Sequence, residues 1–165
     1  MINNIILLCG LPGSGKSTWA SKKLKSNDGV WWINFDHCKD DRDLDEEIDK
    51  SFRFVFGITT LILDGLFLTN ESRVKILNKI CSNDRISKST SIKIYEWKEN
   101  RDACLANDKG RRDVASEITI RNAVWEPVNL EIISRGLNRS YENLTVNYFD
   151  VKVWSTAEKV MSEGD

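Results

Sequence analysis

Residues 10–17 read Gly10-Leu11-Pro12-Gly13-Ser14-Gly15-Lys16-Ser17, and no other stretch constrains the fold as strongly. The octet meets every position of the pattern G-x-x-x-x-G-K-[ST], in which a glycine-rich backbone cradles phosphate oxygens. Its flanks agree. Asn4-Ile5-Ile6-Leu7-Leu8-Cys9 reads as a buried strand, and Thr18 to Leu24 as the start of a helix. A strand that turns through glycines into a helix directs backbone N–H groups and the positive end of a helix dipole at one anion. Lys16 is expected to reach the β- and γ-phosphates of a nucleotide, and the Ser17 hydroxyl to ligate Mg²⁺. Gly10, Leu11, Pro12, Gly13, Ser14, Gly15 and Thr18 complete the expected ATP cradle.

Beyond the loop, strand and helix patterns alternate. Residues 30–35, 59–63, 91–95 and 144–148 read as further strands, with 151–154 extending or replacing the last. Residues 41–54 form an acidic helical pattern carrying Leu44, Ile48, Phe52 and Phe54. Residues 70–81 place Val74, Leu77, Ile80 and Cys81 on one helical face, with Arg73, Lys75, Asn78 and Lys79 largely elsewhere. Thr69 or Asn70 is expected to cap that helix. Residues 126–130 read as the start of a late helix, and 155–165 as a short docking helix or a frayed end. Such alternation predicts an α/β fold, a three-layer P-loop NTPase/kinase architecture. Its sheet is expected to be five-stranded and mostly parallel, with helices on both faces. One domain is expected over residues 1–165, an ordinary size for a single core.

Composition narrows the partners. A net charge of -1 and a pI near 5.9 argue against a protein that coats nucleic acid, while leaving room for a local basic groove. Four cysteines, Cys9, Cys38, Cys81 and Cys104, stand apart without a C-x-x-C pair, which speaks against zinc. Free thiols, the absence of a leader-like start and the absence of a long apolar run make the cytoplasm the expected location, with no membrane partner.

Two carboxylates fall at strand ends, where this architecture gathers its chemistry. Asp36 is the expected base and acceptor-binding residue, since a carboxylate there can orient a hydroxyl and take its proton. The bland alternative is a helix cap or a solvated loop acid. Asp64 reads either as an acid that holds Mg²⁺ or as a turn residue before Gly65. His37, beside Asp36, is expected to have no chemical role. Residues 107–114 read as a lid hinged at Gly110, with Arg111 as the catalytic cation over the γ-phosphate and Arg112 as a second ATP contact. A helix end with favourable cations explains the same residues. Trp19, Trp31 and Trp32 are read as packing rather than as base-stacking platforms.

Gly13 to Ala20, the string Ile33-Asn34-x-Asp36, Asp64 and the string Asn107-x-Lys109 together resemble the kinase domain of phage-type polynucleotide 5′-hydroxyl kinases. The resemblance implies transfer of the ATP γ-phosphate to a 5′-hydroxyl, with Asp36 as base and Lys16 and Ser17 in the loop. It also places Lys39 where that family grips substrate phosphate with an arginine, Leu66 where it has an asparagine, and Gly110 where it has the lid arginine. Lysine binds phosphate as a point charge, without the bidentate fork. The implied reaction is ATP- and Mg²⁺-dependent phosphorylation of a nucleic-acid hydroxyl, most directly a polynucleotide 5′-OH. The alternatives are a hydroxymethyl group on a modified DNA base, a small metabolite or nucleoside, and an NTP-binding regulatory switch.

Overall fold

A computed structural model describes residues 1–38, 40–53, 57–109 and 114–153. Five strands form one sheet: β1 (Asn4–Cys9), β2 (Val30–Asn34), β3 (Thr60–Asp64), β4 (Ser91–Trp97) and β5 (Leu144–Phe149). The helices are α1 (Lys16–Ser26), α2 (Asp41–Arg53), α3 (Asn70–Cys81), α4 (Arg101–Asp108), α5 (Val114–Asn122) and α6 (Leu130–Gly136). Strand order is β2-β3-β1-β4-β5, and every pairing is parallel. The expected α/β class and five-stranded sheet are therefore present. β1 lies in the centre, and the chain crosses to one side of it before returning to the other. In parallel sheets that reversal opens a crevice at the carboxyl ends of the strands.

The period-2 alternation of β1 sorts the core into two layers. Ile5, Leu7 and Cys9 join Leu61, Leu63, Ile92 and Ile94 under α2, α3 and α6. Ile6 and Leu8 face Ala20 of α1 together with Ile62 and Trp97. Burying each such Leu or Ile contributes about 1.5–3 kcal/mol relative to exposure. The tryptophans pack as expected. Trp31 lies against the first layer and Trp32 against the second. Trp19 meets the Tyr95 ring edge-on at 4.9 Å, and Trp97 stacks on Phe149 at the same distance.

Several boundaries shift. β2 ends at Asn34, so Phe35 opens a single 3₁₀ turn, Phe35–His37. β4 runs two residues further than its pattern, to Trp97. Residues 151–153 continue beyond β5 without strand pairing. The late helix begins at Leu130, with the Asn129 side chain accepting from the N–H groups of Glu131 and Ile132. Glu126, expected at a helix start, instead has its N–H bonded to the Leu68 carbonyl. α3 is capped by Thr69 in a reciprocal arrangement with Ser72. Arg73 departs from the expected solvent-facing side: it is fully buried. Phe54, Lys39, Arg111, Arg112, Gly110 and residues 154–165 lie outside the described residues. Among the described residues no helix is long and apolar enough to cross a membrane.

Candidate active site at the carboxyl edge of the sheet

The loop that follows β1 takes its shape from two glycines. Gly13 has φ 76° and Gly15 φ 105°, both in the left-handed region that a side chain disfavours. A Cβ on Gly13 would stand 2.5 Å from the Cys104 carbonyl oxygen of α4, so the loop packs on that helix through bare backbone. Gly15 is the N-cap of α1, and no side chain caps that helix among the described residues. The N–H groups of its first turn, which includes Ser17 and Thr18, thus face the loop's interior as donors for an anion. Leu11 contributes backbone alone. Its side chain is buried with Cys104 and Ile120.

Lys16 is buried, and its Nζ donates to the carbonyls of Gly10 (2.7 Å) and Leu11 (3.0 Å) and to Ser14 Oγ (3.5 Å). Burial pushes its pKa down, and the carboxylates of Asp64 and Asp36 pull against that shift. A lysine held in this way keeps its ammonium inside the loop, where it can turn from carbonyl oxygens to phosphate oxygens. Across the crevice, the Ser17 hydroxyl donates to Asp64 Oδ2 at 2.7 Å. Asp64 ends β3 and is 1% exposed. Burial raises its pKa, opposed by the Lys16 charge and the Ser17 bond. The Asp64 carboxylate faces the loop serine, the position that the metal-holding expectation requires of it.

The donor set fits a hard cation. A serine hydroxyl and a carboxylate are oxygen ligands, and Mg²⁺ binds through one or two such groups while keeping waters and nucleotide phosphates. Among the described residues no group of three or more His, Cys, Asp or Glu side chains could hold a metal alone. A cation at Ser17 and Asp64 would therefore depend on waters and phosphate oxygens for its remaining ligands.

Asp36 lies one strand over. Asn34 pairs in register with Asp64, and Asp36 follows two residues later on the 3₁₀ turn. The Asn34 side chain accepts from the Asp36 N–H at 3.0 Å, which fixes the turn and leaves the carboxylate exposed. Asp36 is close enough to favour the charged form of Lys16 and to disfavour that of Asp64. Beside this turn is a cavity of about 350 Å³ lined by Trp32, Asn34, Cys38, Asp43, Glu46, Glu47 and Lys50. Lys50 is already paired with Glu46 (3.1 Å) and Glu47 (3.0 Å), so the lining carries two net negative charges.

The expected lid divides. Residues 107–109 belong to α4 and its C-cap. The expected cations Arg111 and Arg112, and the acceptor-gripping Lys39, lie outside the described residues. Arg101, which opens the same basic run, is a tie. Its guanidinium donates to the carbonyls of Ile120 (2.6 Å), Arg121 (3.0 Å) and Ala123 (2.7 Å), which fastens the start of α4 to the end of α5. Cations satisfy the orphan carbonyls of a helix end in this way.

A second buried network escaped the sequence. Arg73 donates to the carbonyls of Phe67 (2.9 Å) and Leu68 (3.2 Å) and to Asn70 Oδ1 (3.0 Å), and it lies 5.0 Å over the Trp125 ring. It thereby holds the connection that follows Asp64. Glu96, at the end of β4, is buried and accepts the Val128 N–H. Glu96 falls near a strand end, which does not distinguish burial from exposure, and Arg73 lies within α3, where helical periodicity assigns it to solvent.

No family model matches the chain, and no curated protein matches it. Among solved structures, a gluconokinase from Sinorhizobium meliloti 1021 is similar. The identity is 14%, the TM-score 0.43, and the match covers 97% of this chain and 89% of that one.

Proposed function

We propose that this chain is an ATP-dependent phosphotransferase with an alcohol acceptor. The observation that carries this reading is the convergence of Lys16, Ser17 and Asp64 at the phosphate loop, with Asp36 exposed on the neighbouring strand end. The acceptor hydroxyl oxygen forms a bond to the γ-phosphorus as the bond to the β,γ-bridging oxygen breaks, and ADP leaves. The hydroxyl proton passes to the Asp36 carboxylate. Loop N–H groups and Lys16 neutralise charge on the transferring group, and such positioning accounts for most of the catalysis in this chemistry. Mg²⁺, when bound at Ser17 and Asp64, supplies further charge neutralisation. Arg111 is proposed as the lid cation and Arg112 as a second ATP contact.

The cavity beside Asp36 favours a small, uncharged or cationic alcohol, because Asp43, Glu46 and Glu47 repel a phosphodiester chain laid across them. The second reading, a polynucleotide 5′-hydroxyl, rests on the resemblance of residues 13–20 and 33–36 and on Lys39 as a phosphate contact. The deciding experiment is transfer of labelled γ-phosphate with Mg²⁺ to a panel of acceptors. The panel holds polyols and amino-alcohols, nucleosides, 5′-hydroxyl oligonucleotides, and 5′-phosphorylated DNA carrying hydroxymethyl bases. Label on small alcohols alone supports the first reading. Label on oligonucleotides that falls steeply with salt supports the second. No label on any acceptor, with no Mg²⁺-dependent ATP turnover, overturns both.

A further inference from the structure

Asn107 sits on α4, outside the loop, yet its side-chain amide reaches two distant stretches of chain. Nδ2 donates to the Gly13 carbonyl at 2.9 Å and to the Lys152 carbonyl at 2.7 Å. Both partners are acceptors, so only the NH₂ end of an amide satisfies them. The consequence for the loop follows from peptide geometry. A trans peptide points its C=O and N–H in opposite directions. Holding the Gly13 carbonyl on α4 therefore turns the Ser14 N–H away from that helix, where it bonds the Leu11 carbonyl at 3.2 Å, the same carbonyl that accepts from the Lys16 ammonium. Gly13 has φ 76° and no Cβ, so its own sterics do little to fix that peptide, which is held by the Leu11 carbonyl at its N–H and by Asn107 at its C=O. The contact with α4 is backbone-close, since a Cβ on Gly13 would meet the Cys104 carbonyl. On the other side, Val151 packs with the cluster of Leu11, Cys104 and Ile120. Loop, α4 and the segment leaving β5 are thus fastened at one amide.

We propose that Asn107 is the positioning residue that holds the Gly13–Ser14 peptide in its anion-binding orientation and joins the phosphate loop to the segment after β5. This rests on the nucleotide-binding reading of the loop. Asn107 touches neither phosphate nor acceptor in this role. It acts through the direction of a backbone donor.

The test uses the full chain with Asn107→Leu, Asn107→Asp and Asn107→Gln, titrated with ATP and with inorganic tripolyphosphate in the presence of Mg²⁺. Leucine keeps the size and removes both donors. The expected result is about tenfold weaker binding of both probes, the equivalent of roughly one buried hydrogen bond. Asn107→Asp would set a charged oxygen against two carbonyls and weaken binding further. Glutamine, which keeps the NH₂ on a longer stem, should recover part of the loss even if the leucine variant folds poorly. In turnover, the KM for ATP should rise while the acceptor KM stays unchanged. Loss of ATP affinity with undiminished tripolyphosphate binding would overturn the proposal, because Asn107 would then act away from the phosphates. So would a lowered melting temperature with unchanged affinity for both probes. If the unaltered chain binds neither probe, the nucleotide reading itself fails, and the proposal with it.

Discussion

On the proposed function, the phosphate side and the acceptor side of this crevice are built differently. On the phosphate side, Lys16 is 7% and Asp64 1% exposed, and both are bonded within a loop pressed onto α4. On the acceptor side, Asp36 is exposed on one 3₁₀ turn, and the nearby cavity is lined by the half-buried and exposed acids of α2. Phosphate recognition is the same task for any acceptor, and a buried, backbone-built cradle suits it. An acceptor must enter and leave, and the contacts proposed for it would sit on a turn and a helix face that can change without disturbing the core. A rigid scaffold with function on its connections is the general pattern.

That contrast is broken most forcefully at Lys16. Lys16→Ala removes the ammonium that this structure stores inside the loop, and turnover should fall by about a hundredfold to a thousandfold. The measurement is γ-phosphate transfer at saturating acceptor. Near-normal turnover would disconnect the loop from the chemistry. Asp36→Asn attacks the other side. It should leave ATP affinity intact while kcat falls by roughly 10²–10⁴, the contribution of a positioned base. An unchanged kcat would remove Asp36 as proton acceptor, and an effect confined to ATP affinity would move it to the phosphate side.

The same contrast explains what could be read from the sequence. The phosphate side is local: β1, the glycines, Lys16 and Ser17 are contiguous, and each residue type has a steric or electrostatic reason. Asp64 was visible because an apolar run ended on it. Alternation made at least one of Trp31 and Trp32 packing; each packs against a core layer, and Trp32 also lines the cavity. Arg73 was misplaced because helical periodicity assigns a charge to solvent. Its burial depends on carbonyls of Phe67 and Leu68 that no periodicity reports. Asn107 was noticed within a lid motif, but its partners are 94 and 45 residues away along the chain. The cavity beside the 3₁₀ turn was equally invisible. The acidic run of α2 read as a solvated face, and only the fold sets Glu46 and Glu47 beside Asn34 and Cys38.

The cavity's charge offers a gentler test. The double change Glu46→Gln with Glu47→Gln removes two acids and releases Lys50 from both pairs. A cationic alcohol should then show an acceptor KM raised roughly threefold to tenfold, with kcat and the KM for ATP unchanged. A polynucleotide acceptor should respond in the opposite sense, with a lowered KM. No change for any acceptor would mean that the cavity lies off the acceptor's path, and the asymmetry of the crevice would then have no bearing on specificity.

The smallest expected effect is at Cys38. Cys9, Cys81 and Cys104 are buried, whereas Cys38 is half-buried and lines the cavity two residues beyond Asp36. A maleimide should therefore label Cys38 first. Partial burial, followed by the charges of Glu47 and Asp43, raises its thiol pKa. Raising a thiol pKa depletes the reactive thiolate at neutral pH, so labelling should be slow there. It should then accelerate about tenfold per pH unit through the ordinary thiol range and beyond it. Glu47→Gln removes one of the opposing charges and should speed labelling at fixed pH. The comparison of the two sides is sharpened by protection. An acceptor that occupies the cavity should slow labelling, and ATP alone should not. Protection by ATP alone would mean that nucleotide binding reshapes the turn bearing Asp36, which would join the two sides more tightly than their separate construction implies.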